Sequence, residues 1–136
     1  MDITRQQRDT MDRVREMLGA DESSVKEHSG LLANLMGGAK CKGMDGLIEE
    51  GQKVMAENLS SEVMDAAIIG CCQKIEHFEI AGYGTVKTYA QQLGLSDIAQ
   101  LFNAILTEEY QADNMLTSIA TSTVNKEAEV GAMENV

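Results

Sequence analysis

Residues 61–93 read SEVMDAAIIGCCQKIEHFEIAGYGTVKTYAQQL. Along this stretch Ala67, Ile68, Cys71, Cys72, Ile75, Phe78, Ile80, Val86, Ala90 and Leu93 recur about every 3.6 residues, which predicts one helix from Ser61 to about Leu93. Gly94 supplies its stop, and Ser96 is the expected N-cap of the next helix. That second helix runs from Asp97 to about Ala120, with Ile98, Leu101, Phe102, Ile105, Leu106, Ala112, Leu116 and Ile119 on one broad face. A connection as short as Gly94–Ser96 folds the two back antiparallel, which is bundle geometry. At about 1.5 Å per residue they are about 50 and 36 Å long, more than the shorter helices of the chain could cover. A second copy is the expected cover, hence a homodimer.

The rest of the chain is read around this pair. Thr4–Leu18 is expected to be helical, with a thin apolar stripe of Val14, Met17 and Leu18, ending at Gly19. Ser23 and Ser24 are placed to cap a short helix from Val25 to Leu35, and residues 37–43, GGAKCKG, read as a loop. A further helix spans about Met44 to Met55, with Leu47, Ile48, Val54 and Met55 apolar and Glu49 and Glu50 outward. Residues 121–136 lack sustained periodicity and read as a frayed tail, which leaves a single domain over residues 1–120.

Composition narrows the functional classes. The 136 residues include no proline and 12 glycines, and the near absence of β-branched runs removes an all-β sandwich. No apolar stretch reaches the roughly 18–20 residues of a membrane span, because Gln73 and Lys74 interrupt the best window. The opening, MDITRQQRDTMDRVRE, carries charge throughout and has no signal-peptide core, so a soluble cytoplasmic protein is expected, without a membrane partner. A net charge of −11 has the wrong sign for a nucleic-acid partner. The excess is uneven, with 8 basic and 10 acidic groups over residues 1–55 against 3 and 12 over residues 56–136. Cys41, Cys71 and Cys72 form no CxxC and are expected to be buried free thiols. Phosphate loops, GxSxG and strand-borne GxGxxG are all missing.

The acids within the two long helices carry the candidate chemistry. Glu76 and Glu79 are three residues apart, neighbours on one helix surface, in a row that is otherwise mostly apolar. Glu109 continues the apolar row of Phe102, Ile105 and Ala112, Asp113 lies one turn further on, and Glu108 sits at the edge. Antiparallel pairing brings Glu76, Glu79, Glu109 and Asp113 to one level of the bundle, where a divalent metal pair is the natural neutraliser of their repulsion. The bland alternative is a solvated helix edge. His77 lies about 100° from Glu76 and is a weaker ligand candidate. Tyr83 could donate a hydrogen bond to a ligating carboxylate.

The segments MDGLIEEG (44–51), IEHFEIAGYG (75–84), QLGL (92–95) and TEEYQAD (107–113) resemble the YciE/YciF family of ferritin-like bacterial proteins, over roughly residues 11 to 120. The resemblance implies an all-α, ferritin-like (rubrerythrin-like) antiparallel helical bundle with a di-iron or other dimetal carboxylate site, usually dimeric and associated with stress. It puts Glu76 and Glu79 on the family's long third core helix, Glu109 and Asp113 on its last, and Glu108 at an adjacent acid. Family members begin with a full helix bearing an inward acid, then a second helix with a histidine and an acid shortly before a threonine that aligns with Thr4. Against that pattern this chain is expected to be truncated at its N-terminus, lacking the first helix and part of the second, with Asp2 the candidate for that acid. About half the ligands of a ferritin-like site would then remain. Either a partner chain supplies the missing walls, or the half-site holds Ca²⁺, Mg²⁺ or Mn²⁺ loosely through carboxylates, and the second is favoured. The expected function is a stress-associated, iron- or other metal-binding protein, with ferroxidase-like or rubrerythrin-like redox activity as the enzymatic possibility. The competing class is a metal-free helical dimerisation module.

Overall fold

A computed structural model describes residues 2–19 and 41–133. The expected helix Val25–Leu35 with its serine caps, most of the expected 37–43 loop and the side chain of Asp2 lie outside the described residues. The elements are α1 (Asp2–Met17), α2 (Lys42–Met55), α3 (Ser61–Gln92), α4 (Ser96–Ile119), a π-helical turn (Ala120–Val124) and α5 (Asn125–Met133). Among the described residues there is no strand, and the described fold is all-α. The described helices pack as two compact units. One unit comprises residues 1–42 and 83–105, the other residues 43–82 and 106–136.

The first unit holds the apolar core. Val14, Ala90, Ile98, Ala99, Phe102 and Ile105 are buried together, flanked by Met11, Tyr83, Val86 and Leu101. The rings of Tyr83 and Phe102 stack with centroids 6.3 Å apart. Of the stripe expected on α1, only Val14 enters this core; Met17 and Leu18 are exposed, and Met11, one turn before Val14, packs there instead. α1 closes on Gly19, whose φ of 63° is a left-handed conformation that favours glycine.

The α3–α4 turn is fixed by a second such glycine. Gly94, at φ 74°, donates its N–H to the Gln91 carbonyl while Leu95 donates to Ala90, the two bonds of a Schellman stop. The Leu95 carbonyl accepts the Ala99 N–H, so Leu95 rather than the expected Ser96 occupies the cap position of α4. Lys87 on α3 donates to the Asn103 side chain on α4 across 2.7 Å.

In the second unit, α2 buries no residue completely. Gly51 on α2 lies opposite the Cys71 side chain on α3, and Lys74 on α3 pairs with Glu50 on α2. Ser60 caps α3, its carbonyl accepting the Met64 N–H at 2.8 Å. Residues 121–133, expected as a frayed tail, are helical. The π turn adds one residue to the helical ring, and α5 then brings buried Gly131 against Ser60 and Glu62, where an added Cβ would lie 3.1 Å from a Glu62 oxygen. That approach relies on a missing side chain and backbone proximity, which hydrophobic periodicity does not record. The second unit is also where the acids converge.

Candidate metal centre

α3 and α4 run antiparallel through the second unit, so residues that ascend on one meet residues that descend on the other. Glu76 and Glu79 on α3 and Glu109 on α4 come together, each offering a carboxylate oxygen, with all three oxygens within 4.8 Å of one another. Glu109 is 4% exposed, the only charged or polar residue of the described chain that is buried. Its neighbours in the α4 row, Phe102 and Ile105, explain this: the apolar face that drives α4 inward takes the glutamate with it. Oxygen Oε2 of Glu76 is buried and meets no hydrogen-bond donor among the described residues. Burial, and then the nearby Glu76, pushes the Glu79 carboxyl above its ordinary value of 4.5.

Those distances set a magnitude. At an effective dielectric near 20, two unit charges 4.8 Å apart repel by about 3.5 kcal/mol. Three ionised carboxylates in this arrangement would therefore cost about as much as a typical domain's whole stability. A proton, a cation or hydrogen-bond donors can relieve them. The orphaned Glu76 oxygen fits a cation, since a buried acceptor without a donor is unfavourable unless something positive occupies its lone pair. The donors are all carboxylate oxygens, a set suited to hard divalent ions. A ferritin-like dimetal site takes about four carboxylates and two histidines, and that complement is not gathered among the described residues.

The other expected ligands lie elsewhere. Asp113 accepts a hydrogen bond from Gln73 Nε2 at 3.2 Å on one oxygen and meets His77 Nε2 at 3.2 Å on the other. His77 is thus paired with an acid outside the group of three. Glu108, half-buried beside Glu109, is not part of that group, and the Tyr83 ring stacks on Phe102. Gln73 was not singled out in the sequence. Its amide bonds both Asp113 and, at 2.8 Å, the hydroxyl of Thr117. The available signal was its position one turn before Glu76, as an uncharged polar residue in an apolar row.

Cys41, Cys71 and Cys72 are unpaired, as expected, but Cys41 is exposed and the other two are half-buried. Among the described residues, no helix is long and apolar enough to cross a membrane.

Residues 30–129 match the family described as Domain of unknown function (DUF892). The chain belongs to this DUF892 family. A curated relative, Protein YciF of Escherichia coli strain K12, is 49% identical over 90 residues, which cover 66% of this chain and 54% of the relative. The crystal structure of the E. coli stress protein YciF matches with a TM-score of 0.62 at 48% identity, covering 65% of this chain and 55% of that one. This DUF892 chain therefore spans about half the length of its E. coli relatives. The resemblance read from IEHFEIAGYG and TEEYQAD holds, and with it a ferritin-like helical fold.

Proposed function

We propose that this chain is a cation-binding protein of bacterial stress physiology, in which Glu76, Glu79 and Glu109 hold a hard divalent ion. The observation that carries the reading is the buried, donorless Glu76 oxygen beside two further carboxylates, one of them 4% exposed. Association with stress is carried over from the E. coli protein that bears the description. The expected iron pair is the more demanding form of the same proposal, since three carboxylates supply only part of a dimetal ligand set. Iron, when bound, would supply oxidation of ferrous ion by oxygen. The chain's own part is to present the oxygens at fixed spacing from two helices and to keep Glu109 away from bulk water.

A homodimer belongs to the same proposal. The second unit leaves the apolar side chains of Phe78, Met115, Ile119 and Val130 exposed, which another copy would cover. Light scattering coupled to size exclusion reads the mass directly, and a monomer counts against the dimer.

The competing reading, a metal-free interaction module, draws on Glu79: its carboxyl, raised by burial and then by the nearby Glu76, can keep a proton that stands in for the metal. Metal content separates the two. After expression in iron-supplemented medium, the wild type should retain metal that a Glu76→Ala/Glu109→Ala variant lacks. Equal content in both proteins would reject the metal reading and favour the module. If iron binds but ferrous ion is not oxidised in oxygen, the enzymatic label is removed while the binding role stands.

A further inference from the structure

We propose that Gln73 and His77 latch Asp113 out of the carboxylate group, so that Asp113 is a reserve ligand whose release tightens the site. The inference rests on the metal reading above and concerns how strongly that site binds. Asp113 lies four residues beyond Glu109 on α4, hence on the same helix face and one turn away. Helix geometry thus places it beside the acids that do converge. Its carboxylate is nevertheless outside the group, and each of its oxygens has a partner on α3: Gln73 Nε2 donates to Oδ1 at 3.2 Å, and His77 Nε2 meets Oδ2 at 3.2 Å.

The latch is saturated on its donor side. A glutamine amide nitrogen carries two hydrogens. Nε2 of Gln73 reaches two acceptors, Asp113 Oδ1 and Thr117 Oγ1, the latter at 2.8 Å. Thr117 is itself one turn beyond Asp113, so the amide grips two successive turns of α4 and cannot slide along it without losing a bond. The Asp113 side chain is only 19% exposed and its bond from Gln73 is half-buried, while the His77 side chain is 64% exposed. Gln73 precedes Glu76 by one turn and His77 adjoins it, which puts the latch directly beside the ligands on both helices. Gln73 and His77 are therefore positioning residues: they touch Asp113, and they act on the ion only through it. With the latch closed, three carboxylates face the ion and the remaining coordination positions fall to water. With it open, a fourth acid joins from the same helix as Glu109.

Isothermal titration with Mn²⁺ tests this in the full chain, with circular dichroism confirming that each variant is folded. Glu109→Gln should abolish binding, whereas Asp113→Asn should leave the affinity within about twofold of wild type, because Asp113 is not a ligand when latched. The Gln73→Ala/His77→Ala variant should bind about tenfold more tightly, the scale on which residues behind the ligands tune metal sites. Adding Asp113→Asn to that variant should return the affinity to the wild-type level. A merely structural role for Gln73 and His77 would instead weaken binding whether or not Asp113 is present. The latch is overturned if Asp113→Asn weakens Mn²⁺ binding as much as Glu109→Gln, or if the Gln73→Ala/His77→Ala variant binds no more tightly than wild type; either result leaves the metal reading intact. Wild-type affinity in Glu109→Gln would overturn the metal reading, and the latch with it.

Discussion

Replacing Glu79 by glutamine should make the metal-free protein more stable, and only at pH values where the acid would be ionised. The carboxylate oxygens of Glu76, Glu79 and Glu109 lie within 4.8 Å of one another, and each fully charged pair costs about 3.5 kcal/mol at an effective dielectric near 20. Glu79 is half-buried, so screening by water on its open side reduces its share to about 1–2 kcal/mol. For a chain of this size, at about 4 °C per kcal/mol, the melting temperature should rise by about 4–8 °C near pH 8. The pH dependence fixes the sign. Burial and Glu76 hold the folded-state carboxyl above its ordinary 4.5, so between 4.5 and the raised value the folded chain keeps a proton that the unfolded chain releases. The stability Glu79 contributes is therefore fully present below 4.5 and is lost as pH rises through the folded value. Glutamine has no such loss, and its advantage should shrink to nothing near pH 4 and be largest near pH 8. Thermal unfolding followed by circular dichroism in the presence of a chelator reads both ends. A shift of equal size at both pH values, or destabilisation near pH 8, would refute the electrostatic account.

Other consequences are structural. Phe102, 2% exposed and stacked on Tyr83, should cost about 3–5 kcal/mol when truncated to alanine, whereas Phe78→Ala, at a residue 40% exposed, should cost about half as much; urea denaturation distinguishes them. Gly94→Ala forces a side chain into φ 74° and should destabilise by about 1–2 kcal/mol. Gly82→Ala, inside α3 with open space around the added Cβ, should stabilise by about 0.5–1 kcal/mol, and a loss of stability there would contradict the packing described.

The helices were legible because burial of one face imposes a period, and α3 and α4 begin and end within a residue or so of where the apolar rows and Gly94 place them. The convergence of Glu76, Glu79 and Glu109 was legible for the same reason, since each acid stands in or beside an apolar row and is carried inward by its neighbours. Asp113 marks where that reasoning stops. Spacing along α4 puts it on the ligand face, but its fate depends on Gln73 and His77, 40 and 36 residues earlier in the chain, and nothing within one helix reveals a partner on another. The 121–133 segment escaped for a different reason: its packing rests on Gly131 and a π turn, not on an apolar stripe. The apolar row of α3 also promised more burial than it delivers, for only Ala90 is fully buried. Periodicity shows which face is apolar, not whether anything covers it.

The most direct measurement is an anomalous difference map from crystals of this chain soaked in Mn²⁺. A peak in contact with carboxylate oxygens of Glu76, Glu79 and Glu109, with Asp113 still held by Gln73 and His77, is the predicted result. An empty map at those oxygens, or a peak seated between His77 and Asp113 instead, would contradict it.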